Sequence, residues 1–247
     1  MATTVGIVDY ACGNLRSLQR ALLAVGADDV RLISDPREFA TRSHLVLPGV
    51  GAFGPAIRAL DRNGMINALR DYATSGRPLL GVCLGMQLLF EESEEFGHHR
   101  GLGLIPGRVV MLDRVRAQKC GEKIPHIGWN RIVPPNSMDR WQHGILDAVN
   151  PGEYAYFVHS YETRPADPDD VMGVADFAGA PFCAVTQRAN VAGCQFHPEK
   201  SATTGLRILS SFLSRAFWPK TQPESIVDPN FQAIKLSYLR QSRRFIA

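Results

Sequence analysis

One cysteine stands in a sequence context that could make it a nucleophile. Cys83 lies in the segment Gly81-Val-Cys-Leu-Gly85, after a short apolar run with the length of a buried strand and before leucines at helical spacing. This is the cysteine form of the G-x-S-x-G strand–turn–helix elbow, in which the helix N-terminus favours the thiolate. A buried cysteine in an ordinary strand–helix turn would give the same short pattern, so the segment alone leaves catalysis undecided.

A histidine and a glutamate near the other end of the chain could complete such a site. His197 and Glu199 are two residues apart, with Pro198 between them, so on an extended segment both side chains point to the same side. A cysteine nucleophile needs a base to accept its proton, and the base needs a group that orients it. The sequence therefore predicts that Cys83, His197 and Glu199 form a catalytic triad.

Several further motifs accompany the triad. They are Gly6–Tyr10, Gly13–Ser17, Pro48–Gly51, Pro125–Asn130 and Tyr156–Tyr161. With the elbow and Phe196–Glu199, they resemble the class I (triad) glutamine amidotransferases and, more narrowly, the glutaminase subunits of imidazole glycerol phosphate synthases. The resemblance covers roughly residues 4–217. It implies hydrolysis of glutamine to glutamate and ammonia through a thioester on Cys83, with no metal and no organic cofactor.

The segment Pro48–Gly51 suits an oxyanion hole, because glycines let the main chain turn N–H groups into a site. An ordinary glycine-rich turn would have the same composition. The resemblance implies that the N–H groups of Val50 and Leu84 form the hole, with Gly49 and Gly51 on either side of Val50.

The resemblance also implies which residues hold glutamine. They are Gln87, Glu95, and the main chain of His159, Ser160 and Tyr161. Glu95 would contact the ammonium group of the substrate, and the main chain of residues 159–161 would hold its carboxylate. The alternative for Glu95 is a solvated position within the acidic run Glu91–Glu95 at the end of a helix.

The residues indicate no second substrate site, and the resemblance implies a separate partner. In the resembled enzymes a (β/α)8 cyclase subunit, joined in a heterodimer, receives the ammonia. It makes imidazole glycerol phosphate and aminoimidazole carboxamide ribonucleotide (AICAR) in histidine biosynthesis. Asn14, Trp129 and Lys200 are candidate contacts with this subunit, since exposed aromatic and polar residues beside a site often anchor interfaces. Packing of Trp129 and solvation of the other two are the alternatives.

The order of the predicted elements indicates an α/β fold. From Val5 to Val82, short apolar strands alternate with helical patterns, which is typical of a parallel sheet flanked by helices. Ligands bind at the carboxyl ends of such strands. In the second half, strand patterns separated by short turns predict an antiparallel extension of the sheet that returns His197 to Cys83. The predicted class is an open, mostly parallel, flavodoxin-like α/β sheet with that extension.

Composition excludes several classes of protein. No apolar run among the 247 residues approaches a membrane span, and the N-terminus does not have the pattern of a signal peptide. The five cysteines lack metal-ligand spacing and fit a reducing cytoplasm. Residues 219–247 carry the whole net charge of +3, so the rest has no excess of basic residues that would suggest nucleic-acid binding.

We divide the chain into a glutamine amidotransferase domain, residues 1–218, and a C-terminal extension, residues 219–247. The extension begins as a proline-containing linker, and its apolar spacing allows a short helix. A second departure from the resembled pattern is Ala11, where relatives commonly have glycine. We expect Ala11 to avoid backbone conformations that only glycine tolerates.

Two other functions stay open at this point. The first is a related glutaminase that supplies ammonia to a surface-polysaccharide sugar amidotransferase, which the unusual extension makes harder to dismiss. The second is a non-enzymatic α/β binding protein with a reactive elbow cysteine. Against the second stand Gln87, Pro48–Gly51 and the His197–Glu199 pair, since a binding protein has no reason to combine them.

Overall fold

Strands β1–β13 form three sheets in the computed structural model, which describes residues 2–135, 139–142 and 144–214. The extension predicted for residues 219–247 lies outside the described residues. The seven strands of the largest sheet, in chain order, are β1 (Thr4–Val8), β2 (Asp29–Ile33), β3 (His44–Leu47), β4 (Leu79–Val82), β11 (Val171–Phe177), β12 (Ala180–Arg188) and β13 (Val191–Cys194). Their spatial order is β11-β12-β13-β4-β3-β1-β2.

The centre of this sheet is parallel and covered on both faces. Strands β13, β4, β3, β1 and β2 pair in parallel, and every residue of β3, β4 and β13 is buried. Strands buried on both faces read as continuous apolar runs, which is the pattern the sequence has here. The covering helices are α1 (Leu15–Ala24), α2 (Phe53–Arg62), α3 (Met65–Thr74) and α7 (Ala202–Leu213). Helices α1 and α7 pack into one core, and α2 and α3 into the other.

The strands of the second half of the chain are divided among three sheets. Strands β11 and β12 extend the large sheet in antiparallel fashion. The other strands form a four-stranded sheet of β5 (Phe90–Ser93), β6 (His99–Arg100), β7 (Ile105–Met111) and β10 (Tyr161–Pro165), and a two-stranded sheet of β8 (His126–Arg131) and β9 (Tyr154–His159). The segment Tyr154–Tyr161 is not one strand: it breaks at Ser160, and its two halves pair with different partners. The predicted antiparallel extension of the large sheet is therefore present as β11 and β12, and the remaining strands form two separate smaller sheets.

Helices α4 and α5 and the backbone of Ala11 differ from what the sequence predicts. Helix α4 (Leu84–Leu88) has five residues and ends where β5 begins, and α5 (Arg114–Lys119) had no counterpart in the predicted elements. A further short helix, α6, spans Asp139–Gln142. Ala11 has φ +67°, in the left-handed region, so the expectation that it would avoid such a conformation is wrong. The Ala11 N–H donates a hydrogen bond to the Asp9 carboxylate at 3.1 Å, which stabilises this backbone conformation.

None of the helices in the described ranges is both long and apolar enough to cross a bilayer.

Candidate active site

Cys83 lies at a strained turn between β4 and α4. Its backbone has φ 54° and ψ −113°, a region that costs a residue with a side chain about 1–3 kcal/mol. Both flanking glycines are required by close packing. A Cβ on Gly81 would lie 2.7 Å from the Gly85 carbonyl oxygen, and a Cβ on Gly85 would overlap the Leu47 carbonyl of β3. The G-x-C-x-G pattern therefore reflects how tightly α4 crosses the ends of the strands.

Strand register brings the second part of the site to Cys83. In the parallel pair of β4 and β13, Val82 lies opposite Cys194, and the N–H of Cys83 donates to the Cys194 carbonyl at 2.8 Å. The chain leaves β13 at the same end of the sheet at which β4 ends, and His197 follows three residues later. Residues 114 positions apart in the sequence thus meet because their strands are neighbours.

His197 and Glu199 form a buried pair beside the thiol. His197 Nδ1 lies 2.9 Å from Glu199 Oε1, and the two side chains are 7% and 4% exposed. Burial alone would lower the pKa of His197, but its interactions with Cys83 and Glu199 outweigh burial and raise the pKa to about 10. With Nδ1 engaged by Glu199, Nε2 is the nitrogen left for the sulfur. A protonated His197 beside the sulfur is the arrangement expected of a base that activates a cysteine nucleophile.

The backbone of His197 is held on both sides. Its N–H donates to the Tyr156 carbonyl of β9 at 3.1 Å, and its own carbonyl accepts from Ser201 Oγ at 2.7 Å. The same Ser201 oxygen accepts the N–H of Tyr156 at 3.0 Å. Sequence reasoning missed this role of Ser201, because a serine before a helix is typical of a cap.

The segment predicted to form the oxyanion hole lies next to the elbow. A Cβ on Gly49 would be 2.9 Å from the Leu84 Cβ, and Gly51 has φ +91°. The N–H groups of Val50 and Leu84 have no hydrogen-bond acceptor among the residues the structure describes, so both are free for a ligand oxygen. The Tyr10 hydroxyl donates to the Pro48 carbonyl at 2.8 Å and thereby holds the segment. Tyr10 is buried, which raises its pKa, and no pattern in the sequence predicts its contact with Pro48.

Gln87 lies on α4 behind the nucleophile. Its Nε2 donates to the Tyr161 carbonyl and to Gln195 Oε1, each at 3.1 Å. Gln195 Nε2 in turn lies 4.0 Å from the Cys83 sulfur. The side chain of Gln87 thus links the Tyr161 carbonyl to Gln195, the residue whose amide lies beside the sulfur. Gln195 was not among the predicted site residues.

Glu95 is buried at the N-terminus of α2. It follows strand β5, so the alternative that the acidic run ends a helix is wrong. Its Oε2 accepts the N–H of Phe53 at 2.6 Å. Burial raises the pKa of Glu95, partly offset by the Phe53 hydrogen bond and by the charge of His99. The Glu95 charge also raises the pKa of Tyr161, whose carbonyl accepts from Gln87 Nε2.

His159 is a buried neutral residue. Its Nδ1 is 2.9 Å from the Tyr161 carbonyl and its Nε2 is 3.0 Å from His126 Nδ1. Burial lowers the pKa of His159 to about 3. The Ser160 carbonyl accepts the N–H of Leu112 at 3.0 Å. The segment of residues 159–161 therefore passes directly from β9 to β10, held by the His159 ring and by the carbonyls of Ser160 and Tyr161.

The three residues proposed for a partner contact are exposed around the site. Asn14 precedes α1, and Lys200 follows Glu199 directly. Trp129, on β8, is 53% exposed, and its ring contacts the ring of Tyr156 with centroids 5.9 Å apart. Because the main chain of Tyr156 bonds to His197, Trp129 lies one strand away from the triad.

Comparison with known proteins gives a consistent assignment. The chain matches the family described as glutamine amidotransferase class-I over residues 7–216. Two similar relatives are "Imidazole glycerol phosphate synthase subunit HisH" of Syntrophotalea carbinolica and of Sulfurimonas denitrificans. The first is 48% identical over 83% of this chain and 97% of the relative. The second is 45% identical over 84% of this chain and 96% of the relative.

Solved structures with little sequence identity share the fold. "Structure of PurLQS from Thermotoga maritima" superposes with a TM-score of 0.64 at 19% identity, covering 86% of this chain and 98% of that one. "Crystal structure of glutamine amidotransferase" gives 0.63 at 18% identity, covering 85% and 96%. The elbow, the buried His–Glu pair and the matched family agree, and the chain belongs to the class-I glutamine amidotransferases.

Proposed function

We infer that the chain is the glutaminase subunit of an imidazole glycerol phosphate synthase in histidine biosynthesis. It is a class-I glutamine amidotransferase that aligns with HisH relatives over nearly their whole length. The observation that carries the chemistry is the placement of Cys83 beside the His197–Glu199 pair, at the carboxyl ends of two neighbouring parallel strands.

The triad supplies the covalent steps. His197, oriented by Glu199, holds the proton of the Cys83 thiol, and the thiolate attacks the side-chain amide carbon of glutamine. His197 then protonates the departing nitrogen, so ammonia leaves and a thioester remains. Water, deprotonated by His197, attacks the thioester and releases glutamate. The N–H groups of Val50 and Leu84 receive the oxyanion in both steps, and each such donor is worth about 3 kcal/mol.

Glutamine is held by groups on both sides of the thiol. Glu95 contacts its ammonium group, and the main chain of residues 159–161 contacts its carboxylate. Gln87 supports this segment through the Tyr161 carbonyl. A buried Glu95 with one oxygen committed to the Phe53 N–H is rigid, and a fixed carboxylate recognises an ammonium group better than a solvated one.

The partner is a (β/α)8 cyclase subunit that docks over the open side of the site. Exposed apolar side chains support this placement. They are Val50, in the segment next to the elbow, and Ile127, Trp129 and Tyr154 on the β8–β9 sheet, and each is between 46% and 60% exposed. Asn14 and Lys200 supply polar contacts around them. Apolar residues with a polar rim are typical of protein interfaces. Docking there covers the mouth of the site, so ammonia passes to the partner.

The experiment is glutaminase activity of the purified protein, alone and with the cyclase subunit of the same organism plus its ribonucleotide ligand. We expect strong stimulation by the pair and loss of all activity in Cys83→Ala. A Cys83→Ala variant that keeps activity would overturn the triad. An active enzyme that the cyclase does not stimulate would keep the triad and assign a different acceptor, such as a sugar-modifying synthetase.

A further inference from the structure

We propose that Gln195 donates a hydrogen bond from its side-chain amide to the Cys83 sulfur and stabilises the thiolate as a second donor beside His197. This inference rests on the proposed role of Cys83 as the nucleophile. Gln195 is fully buried, and its Nε2 lies 4.0 Å from the Cys83 sulfur. At that distance a small contraction on ionisation would give an N–H···S⁻ hydrogen bond.

The orientation of the Gln195 amide is fixed by its neighbours. The Tyr161 carbonyl can only accept, so Gln87 must turn its NH2 group towards it, at 3.1 Å. The same NH2 group faces Gln195, which must therefore present its oxygen, also at 3.1 Å. The NH2 group of Gln195 is then left on the side of the sulfur. A flipped amide would set two donors against each other and turn an oxygen towards an anion.

Two neutral histidines, His159 and His126, extend this chain of hydrogen bonds from the Tyr161 carbonyl. His159 Nδ1–H donates to the Tyr161 carbonyl at 2.9 Å, and its Nε2 accepts from His126 Nδ1–H at 3.0 Å. The His126 Nε2 accepts from the Asn130 amide at 3.3 Å. Burial lowers the pKa of both histidines, so they stay uncharged at neutral pH and keep these tautomers. The histidines hold the Tyr161 carbonyl, the acceptor of the Gln87 amide, without adding a positive charge near the sulfur.

The remaining surroundings show why a second donor matters. The Val158 carbonyl lies 3.8 Å from the sulfur, where it accepts from the S–H form and opposes the thiolate. Two titratable groups whose pKa responds to Cys83 are His197, with Glu199 behind it, and the buried Tyr10 hydroxyl. Only His197 among these brings a positive charge. Gln195 is the donor that offsets the Val158 carbonyl in the resting enzyme.

The test is the pH dependence of Cys83 alkylation by iodoacetamide, read by mass spectrometry of the Cys83 peptide in the full chain. Gln195→Met keeps the volume and removes the donor, and Gln195→Glu replaces the donor by an anion. We expect the midpoint of the profile to rise by about one pH unit in Gln195→Met, a tenfold loss of thiolate, and further in Gln195→Glu. In Gln87→Met, where Gln195 can rotate, we expect a smaller rise in the same direction.

The controls separate this inference from the proposed function. Following the Cys83 peptide excludes alkylation at Cys120, which is exposed. Circular dichroism establishes which variants are folded. Midpoints equal to wild type in folded Gln195→Met and Gln195→Glu would overturn the role of Gln195 while leaving Cys83 as nucleophile. Wild-type Cys83 that resists both iodoacetamide and a glutamine-mimicking electrophile would overturn both proposals together.

Discussion

The N–H of Cys83 donates a 2.8 Å hydrogen bond to the carbonyl of Cys194. This bond continues the parallel pairing of β4 with β13 one residue past the end of β4. It places the nucleophile and the start of the segment leading to His197 side by side at the carboxyl ends of the two strands. The spacing of the site is thus a consequence of strand register, with α4 packed tightly above it.

Gly85→Ala should damage the site through that packing. Its Cβ would overlap the Leu47 carbonyl, so α4 must shift and carry Cys83 and the Leu84 N–H with it. We expect glutaminase activity to fall by about 100-fold or more and the free energy of unfolding by about 1–3 kcal/mol. The measurements are kcat with the cyclase present and urea denaturation.

Gly64→Ala is the matched control for that variant. Gly64 has φ +66° and no atom within 4 Å of an added Cβ, so its substitution costs conformational energy alone. We expect it to lose stability but keep activity per folded molecule. If Gly85→Ala retains wild-type kcat, the close approach of α4 does not position the nucleophile.

The sequence predicted the parts of the site that chemistry constrains. A thiol, a base and an orienting carboxylate must occur together, so Cys83, His197 and Glu199 could be chosen by residue type, and the structure brings them into one site. Regular elements with strong periodicity were also predicted well. The alternation of short apolar strands with helical patterns from Val5 to Val82 is confirmed as β1–β4 with α1–α3 between them.

The features that were missed depend on contacts far apart in the chain. Strand β5 forms because Glu92 pairs with Arg108 of β7, and an acidic tetrapeptide gives no local sign of it. Gln195 contacts Gln87 across 108 positions, and Tyr10 contacts Pro48 across 38. Polar side chains of this kind have no periodicity, so only the folded structure identifies their partners.

Glu199→Gln should change the pH dependence of the reaction. The pKa of His197 is raised to about 10 because its interactions with Cys83 and Glu199 exceed the opposite effect of burial. His197 therefore stays protonated, and able to protonate the leaving ammonia, until the pH rises through about 10. Removing the carboxylate lowers that pKa, so the alkaline limb of kcat/KM should move to lower pH. We also expect kcat to fall by about 100-fold or more, since an amide favours the wrong histidine tautomer.

The control for this variant is Glu153→Gln. Glu153 bonds to Thr204 Oγ1 at 2.9 Å and to Arg207 Nη1 at 2.6 Å, away from the thiol. We expect its substitution to leave the alkaline limb in place. A limb that stays near pH 10 in Glu199→Gln would show that Glu199 does not support the charge on His197.

Tyr10→Phe should slow the reaction without weakening glutamine binding. The Tyr10 hydroxyl donates to the carbonyl of Pro48, the first residue of the segment Pro48–Gly51 that we propose forms the oxyanion hole. Losing a buried hydrogen bond of about 1–1.5 kcal/mol should free that segment and lower kcat by roughly tenfold, with KM nearly unchanged. Tyr72→Phe, which removes a hydroxyl bonded to the Arg42 carbonyl at 3.3 Å, is the control and should leave kcat unaltered. Equal kcat values for the two variants would exclude the effect.

His159 should make the fold sensitive to acid. Burial lowers its pKa to about 3, whereas the unfolded chain has a histidine pKa near 6.5. The group therefore contributes stability above about pH 6.5, and that contribution is lost as the pH falls towards 3. Between pH 6.5 and 5 the loss is about 2 kcal/mol. We expect urea midpoints of wild type to fall over this range and those of His159→Phe to fall less. His98→Gln, at an exposed histidine paired with Glu92, should behave as wild type does.

Trp129→Ala should separate partner binding from chemistry. Trp129 is 53% exposed, and its side chain contacts the ring of Tyr156, so truncation leaves the main-chain bonds between Tyr156 and His197 intact. If its ring is a central contact of the cyclase interface, the loss should weaken the complex about tenfold, roughly 1.4 kcal/mol, as measured by calorimetric titration. Basal glutaminase activity should stay unchanged. Leu32→Ala, at a residue 40% exposed on β2 at the far edge of the large sheet, should not change the Kd. A Kd for Trp129→Ala equal to that of Leu32→Ala would place the interface elsewhere.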